Sequence, residues 1–147
     1  MPAAAQKNDI PELSTSVLPG YVIGAMALTK HLRIKRAYEE PAHDDGVRIL
    51  VDRLWPRGLS KPRARVDLWL KDLAPSSPLR RWFNHDPARW AEFRRRYARE
   101  LDAKDRAIAA LRGAARRGRV TLLFSASDPE HNNAVALHAY LARRRTV

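Results

Sequence analysis

The sequence predicts an α/β fold: a single small domain in which a partly parallel sheet of about four strands is flanked by helices. Three observations carry that expectation. Apolar, β-branched runs at residues 47–54 (VRILVDRL) and 120–126 (VTLLFSA) read as buried strands. Trp90, Phe93, Tyr97 and Leu101 recur at steps of three and four, the stripe of an amphipathic helix. Strand and helix patterns then succeed one another along the chain, which closes on a strand, a turn and a helix.

Taken in order, residues 1–31 form an expected N-terminal leader, and the domain is expected over 32–147. Residues 1–16 show neither a period of two nor one of 3.6. Residues 17–28 (VLPGYVIGAMAL) are apolar but only 12 long, and Pro19, Gly20 and Gly24 interrupt them. That is too short to span a membrane, and Asp9 and Glu12 stand where a signal peptide carries positive charge. Met26 opens MALTKHLRIKR, which reads as the natural start of the functional chain.

Leu32, Ile34 and Arg36 alternate with Arg33, Lys35 and Ala37 as a first strand. Residues 47–54 form a second, stopped by Trp55 and Pro56 because proline cannot join a ladder. Val66, Leu68 and Leu70 suggest a third, although a short helix also suits that run. Ser77 before Pro78 and Asp86 before Pro87 place N-caps ahead of proline, so helices start near 78 and 87. Ile108 and Leu111 continue into another helix that Gly118 can close as a left-handed cap. Asp128 and Pro129 repeat the capping pattern before a last helix lined by Ala134, Leu137, His138 and Leu141. The tryptophans at 55, 69, 82 and 90 read as core or rim packing.

The chain has 147 residues, with 28 Lys and Arg against 16 Asp and Glu, a net charge of +12. A chain of this length buries roughly two thirds of its unfolded surface, enough for a core without staples. It has no cysteine, which excludes disulfides, zinc–thiolate sites and thiol catalysis and fits a reducing compartment. Strong basicity prompts a nucleic-acid reading. Against it, the excess is spread along residues 31–147, and 22 of the 28 basic residues are Arg, as codon bias in a GC-rich genome also produces. The dense runs at Arg94, Arg95, Arg96 and Arg99, at Arg112, Arg116, Arg117 and Arg119, and at Arg143, Arg144 and Arg145 fall on helices or helix ends, where they read as solvated faces.

DDGVRILVDRLWPRGLSK (residues 44–61), WLKDLAPSSPLRRWFNHDPARWAEFRRRY (69–97) and RVTLLFSASDPEHNNAVALHAYL (119–141) resemble the YeaO-like family, domain of unknown function 488 (DUF488). The resemblance spans about residues 33–141. It implies a small cytoplasmic bacterial α/β protein and assigns no reaction. Some relatives in the wider family carry Cys and a Cys-His-Arg string where this chain has Ser125 and His131, Asn132, Asn133, so their thiol chemistry does not transfer.

Ligands of open α/β sheets collect beyond the carboxyl ends of strands. After the second strand stand Arg53, Trp55, Arg57 and Lys61; after the last stand Ser125, Ser127, Asn132 and Asn133. Helix-start amides and arginine forks together suit a phosphate or carboxylate. His131 is the candidate acid or base, with Asp128 as its partner or simply as a cap. An alternative role for Arg53 is an ion pair with Asp44, Asp45 or Asp52 in a structural network. His85 beside Asp86 is a weaker candidate, and no His or carboxylate spacing marks a metal site. No glycine-rich phosphate loop, dinucleotide fingerprint or G-x-S-x-G elbow occurs, so no cofactor is expected. The expected function is binding of an anionic small molecule, with or without catalysis; the alternative is a nucleic-acid module using the Arg-rich helical face.

Overall fold

A computed structural model describes residues 31–143. All but His31 of the expected leader, the start at Met26, and Arg144 and Arg145 lie outside the described residues. The sheet has four strands in the order β1-β4-β2-β3: β1 (Leu32–Arg36), β2 (Val47–Leu50), β3 (Leu68–Trp69) and β4 (Val120–Phe124). Every pairing is parallel, with Leu32 and Val47 both opposite Val120, and Leu50 opposite both Leu123 and Trp69. The sheet is therefore parallel throughout, beyond the partly parallel one expected.

Alternation along these strands separates two cores. Leu32, Ile49, Val51, Val120, Leu122 and Phe124 face the main core, where they meet Phe93, Tyr97, Leu101, Leu111 and Leu137. Those helical residues come from α3 (Trp90–Asp102), α4 (Asp105–Arg117) and α5 (Asn133–Ala142), and α2 (Ser77–Phe83) adds Leu79 and Phe83. On the opposite face Leu50 and Leu123 are covered by Trp55, Leu59 and Val66 from the chain between β2 and β3, and by Trp69 of β3 itself. A four-residue helix, α1 (Lys61–Ala64), lies in that segment. The connections after neighbouring strands β2 and β4 thus depart to opposite faces, the arrangement that opens a crevice at the strands' carboxyl ends.

Several boundaries differ from expectation, each for a visible reason. β2 stops at Leu50 rather than running to residue 54, because the next carboxylate, Asp52, takes the backbone amide of Ser125 at 2.9 Å. The cap of α2 is Ser76, one residue earlier than expected; its hydroxyl accepts from the Leu79 amide and donates to Glu100 at 2.6 Å. Asp86 caps as expected, but onto a 3-10 turn (Pro87–Arg89) that leads into α3. Gly118 ends α4 with extended backbone, φ 177°, not as a left-handed cap. Gly46 is the glycine with a strict requirement: its φ is +69°, and a Cβ there would stand 2.1 Å from the Arg119 carbonyl oxygen.

The arginine runs are not all surface. Arg94, Arg95, Arg96 and Arg99 are exposed on α3, with Glu92 holding both Arg95 and Arg96. Arg112 is buried instead, donating to the Tyr140 and Leu141 carbonyls at the end of α5. The four tryptophans are half-buried and pack as expected; Trp55 meets Trp69 edge to face at 5.4 Å, and Trp82 carries Arg89 and Arg96 on its ring. Among the described residues, no helix is long and apolar enough to cross a membrane.

Candidate functional site

The site is organised by a residue that sequence reading weighed only as a partner for Arg53. Asp52 follows β2, and its Oδ2 accepts from the backbone amide and hydroxyl of Ser125 at 2.9 and 2.7 Å. Its Oδ1 accepts from Asn133 Nδ2 at 3.1 Å, and the same amide donates to the Val51 carbonyl at 2.8 Å. Burial raises the Asp52 pKa above the ordinary carboxylate value; the hydrogen bonds from Ser125 and Asn133 and the charge of Arg80 offset only part of that. Asp52 is thus clasped by neutral donors, and it ties the ends of β2 and β4 to the first turn of α5.

Above this clasp lies a cleft of about 500 Å³. Arg53, Trp55 and Arg57 line it from the β2 side; Ser125, His131, Asn132 and Asn133 line it from the β4 side. Seven of the residues expected at a ligand site thus share one cavity. Lys61, Ser127 and Asp128 do not line it. Lys61 sits over the Trp55 ring at 5.9 Å, Ser127 is exposed, and Asp128 stands behind His131.

Arg53 pairs with none of the carboxylates considered for it. Asp44 pairs with Arg33, Asp45 with Lys35 and Arg48, and Asp52 with Ser125 and Asn133. The Arg53 guanidinium reaches only the Pro75 carbonyl, at 3.5 Å, and its Nε is buried without a hydrogen-bond partner. Arg119 Nε shares that condition but does not line the cleft. Arg57 is exposed, and its carbonyl rather than its side chain is engaged, accepting from the Tyr38 hydroxyl at 2.7 Å.

Asp128 does not cap the last helix. It closes a turn, accepting from the amides of Glu130 and His131 and from His131 Nδ1 at 2.9 Å. The Glu130 amide and then the His131 side chain hold its carboxyl below the usual range. The helix consequently starts at Asn133, capped by Asn132, whose side chain accepts from Val135 and donates to the Asp128 carbonyl. Asn132 is buried, so both ends of its amide serve the fold. The His131 ring stands edge-on to Trp90 at 5.3 Å, with Nδ1 taken by Asp128.

Sequence reading missed the third wall. α2 and the loop after it bring Arg80, Arg81, Asn84 and His85 to the cleft. Asn84 and His85 are both left-handed, φ +47° and +53°, a conformation rare for side-chain-bearing residues. His85, the weaker candidate beside Asp86, joins the cleft, while Asp86 caps. Arg80 and Arg81 carried no signal beyond the polar side of a short helix. Four arginines therefore line the same cleft as one hydrogen-bonded carboxylate, an arrangement that attracts anions. Among the described residues, no group of three or more His, Asp or Glu is placed to hold a metal ion.

Comparison with known proteins agrees with the resemblance in the sequence. A family model described as the inactive DUF488-N3 subclade matches residues 31–146. The chain is 40% identical over 119 residues to the uncharacterized protein Rv3073c of Mycobacterium tuberculosis, covering 81% of this chain and 100% of the relative. It is 38% identical over 111 residues to the uncharacterized protein YeaO of Escherichia coli, covering 76% of this chain and 96% of the relative. No solved structure matches it.

Proposed function

The chain belongs to the YeaO-like DUF488 family, in the subclade described as inactive, and from that premise we propose that it binds an anionic small molecule without transforming it. The ligand is a phosphate, nucleotide or carboxylate, held in the cleft beyond β2 and β4. One observation carries the reading: Arg53, Arg57, Arg80 and Arg81 line one cleft with a single carboxylate, Asp52, that neutral donors already hold. The Arg53 guanidinium is committed to no carboxylate, reaching only the Pro75 carbonyl at 3.5 Å, so its charge remains available to an anion. The subclade's description argues against catalysis, and so does the local chemistry. The Ser125 hydroxyl donates to a carboxylate, not to an imidazole, and no thiol is available. His131, oriented by Asp128, serves in this reading as a ligand contact.

The nucleic-acid reading has weaker support, since Glu92 holds two of the α3 arginines, Arg95 and Arg96. A thermal-shift panel of phosphate- and carboxylate-bearing small molecules, at matched ionic strength, tests the proposal. Ligands of the native state raise the melting temperature, by an amount that grows with the logarithm of their concentration over Kd. The shift should appear for the anions and disappear in Arg53→Gln. A flat response to every anion, together with a sequence-selective RNA or DNA complex at physiological salt, would replace this reading with the nucleic-acid one.

A further inference from the structure

We infer that the ligand is a phosphomonoester bearing a flat apolar group, with the charge and shape of a nucleoside 5′-monophosphate. This deepens the proposed function and rests on it.

Charge is the first reason. Arg53, Arg57, Arg80 and Arg81 line the cleft and Asp52 is its one lining carboxylate, so the cleft holds a surplus of positive charge. A phosphomonoester carries about −1.5 to −2 at neutral pH and offers three acceptor oxygens. A carboxylate brings one charge and two oxygens and leaves more of that surplus uncompensated.

Exposed apolar surface is the second reason. Three large hydrophobic residues stand exposed among the described ones: Tyr38 at 38%, Val47 at 36% and Leu54 at 65%. Two of them, Tyr38 and Leu54, line this cleft. Trp55 lines the cleft as well, so aromatic and aliphatic side chains share its lining with the arginines. An inorganic anion leaves that surface wet; a ring attached to the phosphate covers it. Size agrees, since pockets for small organic ligands run from roughly 300 to 1,000 Å³ and this one is about 500 Å³.

Calorimetric titration of the full chain with adenosine 5′-monophosphate, inorganic phosphate, adenosine and benzoate tests the assignment. The monophosphate should bind roughly tenfold or more tighter than each of the other three. Inorganic phosphate binding as well as the monophosphate overturns the apolar half and leaves the anion-binding role standing. Benzoate or adenosine matching it overturns the phosphomonoester assignment. If none of the four binds, both this inference and the proposed function fall.

Two exposed-residue variants separate the halves without risk to the fold. Leu54→Ser should weaken monophosphate binding roughly threefold or more and leave inorganic phosphate unchanged. Arg80→Gln should weaken both by roughly tenfold. Equal losses of both ligands in Leu54→Ser, or no loss in Arg80→Gln, would refute the assignment.

Discussion

The two ends of β2 each carry a carboxylate, and the chain compensates them in opposite ways. At the amino end, Asp45 is buried between Arg48 at 2.6 Å and Lys35 at 3.1 Å, and it accepts from the Ala42 amide at 2.9 Å. Burial alone would raise its pKa, but the Ala42 amide, Lys35 and Arg48 outweigh that and hold it below the ordinary value. At the carboxyl end, Asp52 is held by Ser125 and Asn133, which are neutral, and its pKa lies above the ordinary value. The arginine next to it, Arg53, is not spent on it. Where cations neutralise the carboxylate, the end of the strand is an anchor. Where neutral donors hold it, nearby cations remain available to something from outside.

The largest expected effects therefore lie at the anchored end. Arg48→Met removes an ion-pair partner from buried Asp45 and strips donors from the Ala64 and Arg65 carbonyls. Leaving one buried charge so exposed costs about 3–5 kcal/mol, to be read from denaturant midpoints. A loss below about 1 kcal/mol would show that Lys35 alone suffices and that the anchor is no anchor. Gly46→Ala, next to Asp45, should cost roughly 1–3 kcal/mol from the left-handed backbone alone, before the Arg119 carbonyl is forced to move.

Substitution at the other end should cost little and should change how stability depends on pH. Asp52→Asn keeps an acceptor for Ser125 and removes a partly desolvated charge but gives up the hydrogen bond from Asn133, which still donates to Val51, so near neutral pH it should stay within about 1.5 kcal/mol of the parent. The signs at the two ends are opposite. Asp52 has a raised folded-state pKa, so the stability it contributes is fully present below its ordinary 3.8 and is lost as pH rises through the folded value. Asp45 has a lowered one, so its contribution is present above 3.8 and is lost as pH falls through the folded value. Denaturation midpoints measured across acid pH should show Asp52→Asn gaining on the parent as pH rises. Asp45→Asn should fall furthest behind at the high end of that range. Parallel profiles for the two variants would erase the distinction between the ends.

Sequence carried the anchored framework better than the cleft, because its signals are local. The period-two strands, the Trp90 to Leu101 stripe and Asp86 before Pro87 are read from neighbours a few positions away. Asp52 owes its role to Ser125 and Asn133, 73 and 81 residues later, and no local pattern announces such a pairing. Distance in sequence also explains the displaced cap of α2, which Glu100 settles from 24 residues away, and the burial of Arg112 under the end of α5. Arg53, Arg57 and His131 were found because they follow strands; Arg80 and Arg81 were not, because only tertiary packing brings α2 to the cleft.

The smallest expected effect on stability belongs to Arg57→Ala, and it is the sharpest probe of what the open end is for. The Arg57 side chain is exposed, and the contact that secures the residue, Tyr38 hydroxyl to Arg57 carbonyl, survives truncation. Stability should therefore stay within about 0.5 kcal/mol. A solvated rim charge acts by attracting the ligand through water, so the loss of anion affinity should shrink steadily as salt rises. Loss at Arg53, whose Nε is buried, should persist in the same salt series. Titrating one anion into both variants at several ionic strengths separates the two. If the losses shared one salt dependence, Arg53 would be a surface charge like Arg57, and the contrast between the two ends of β2 would rest on Asp45 and Asp52 alone.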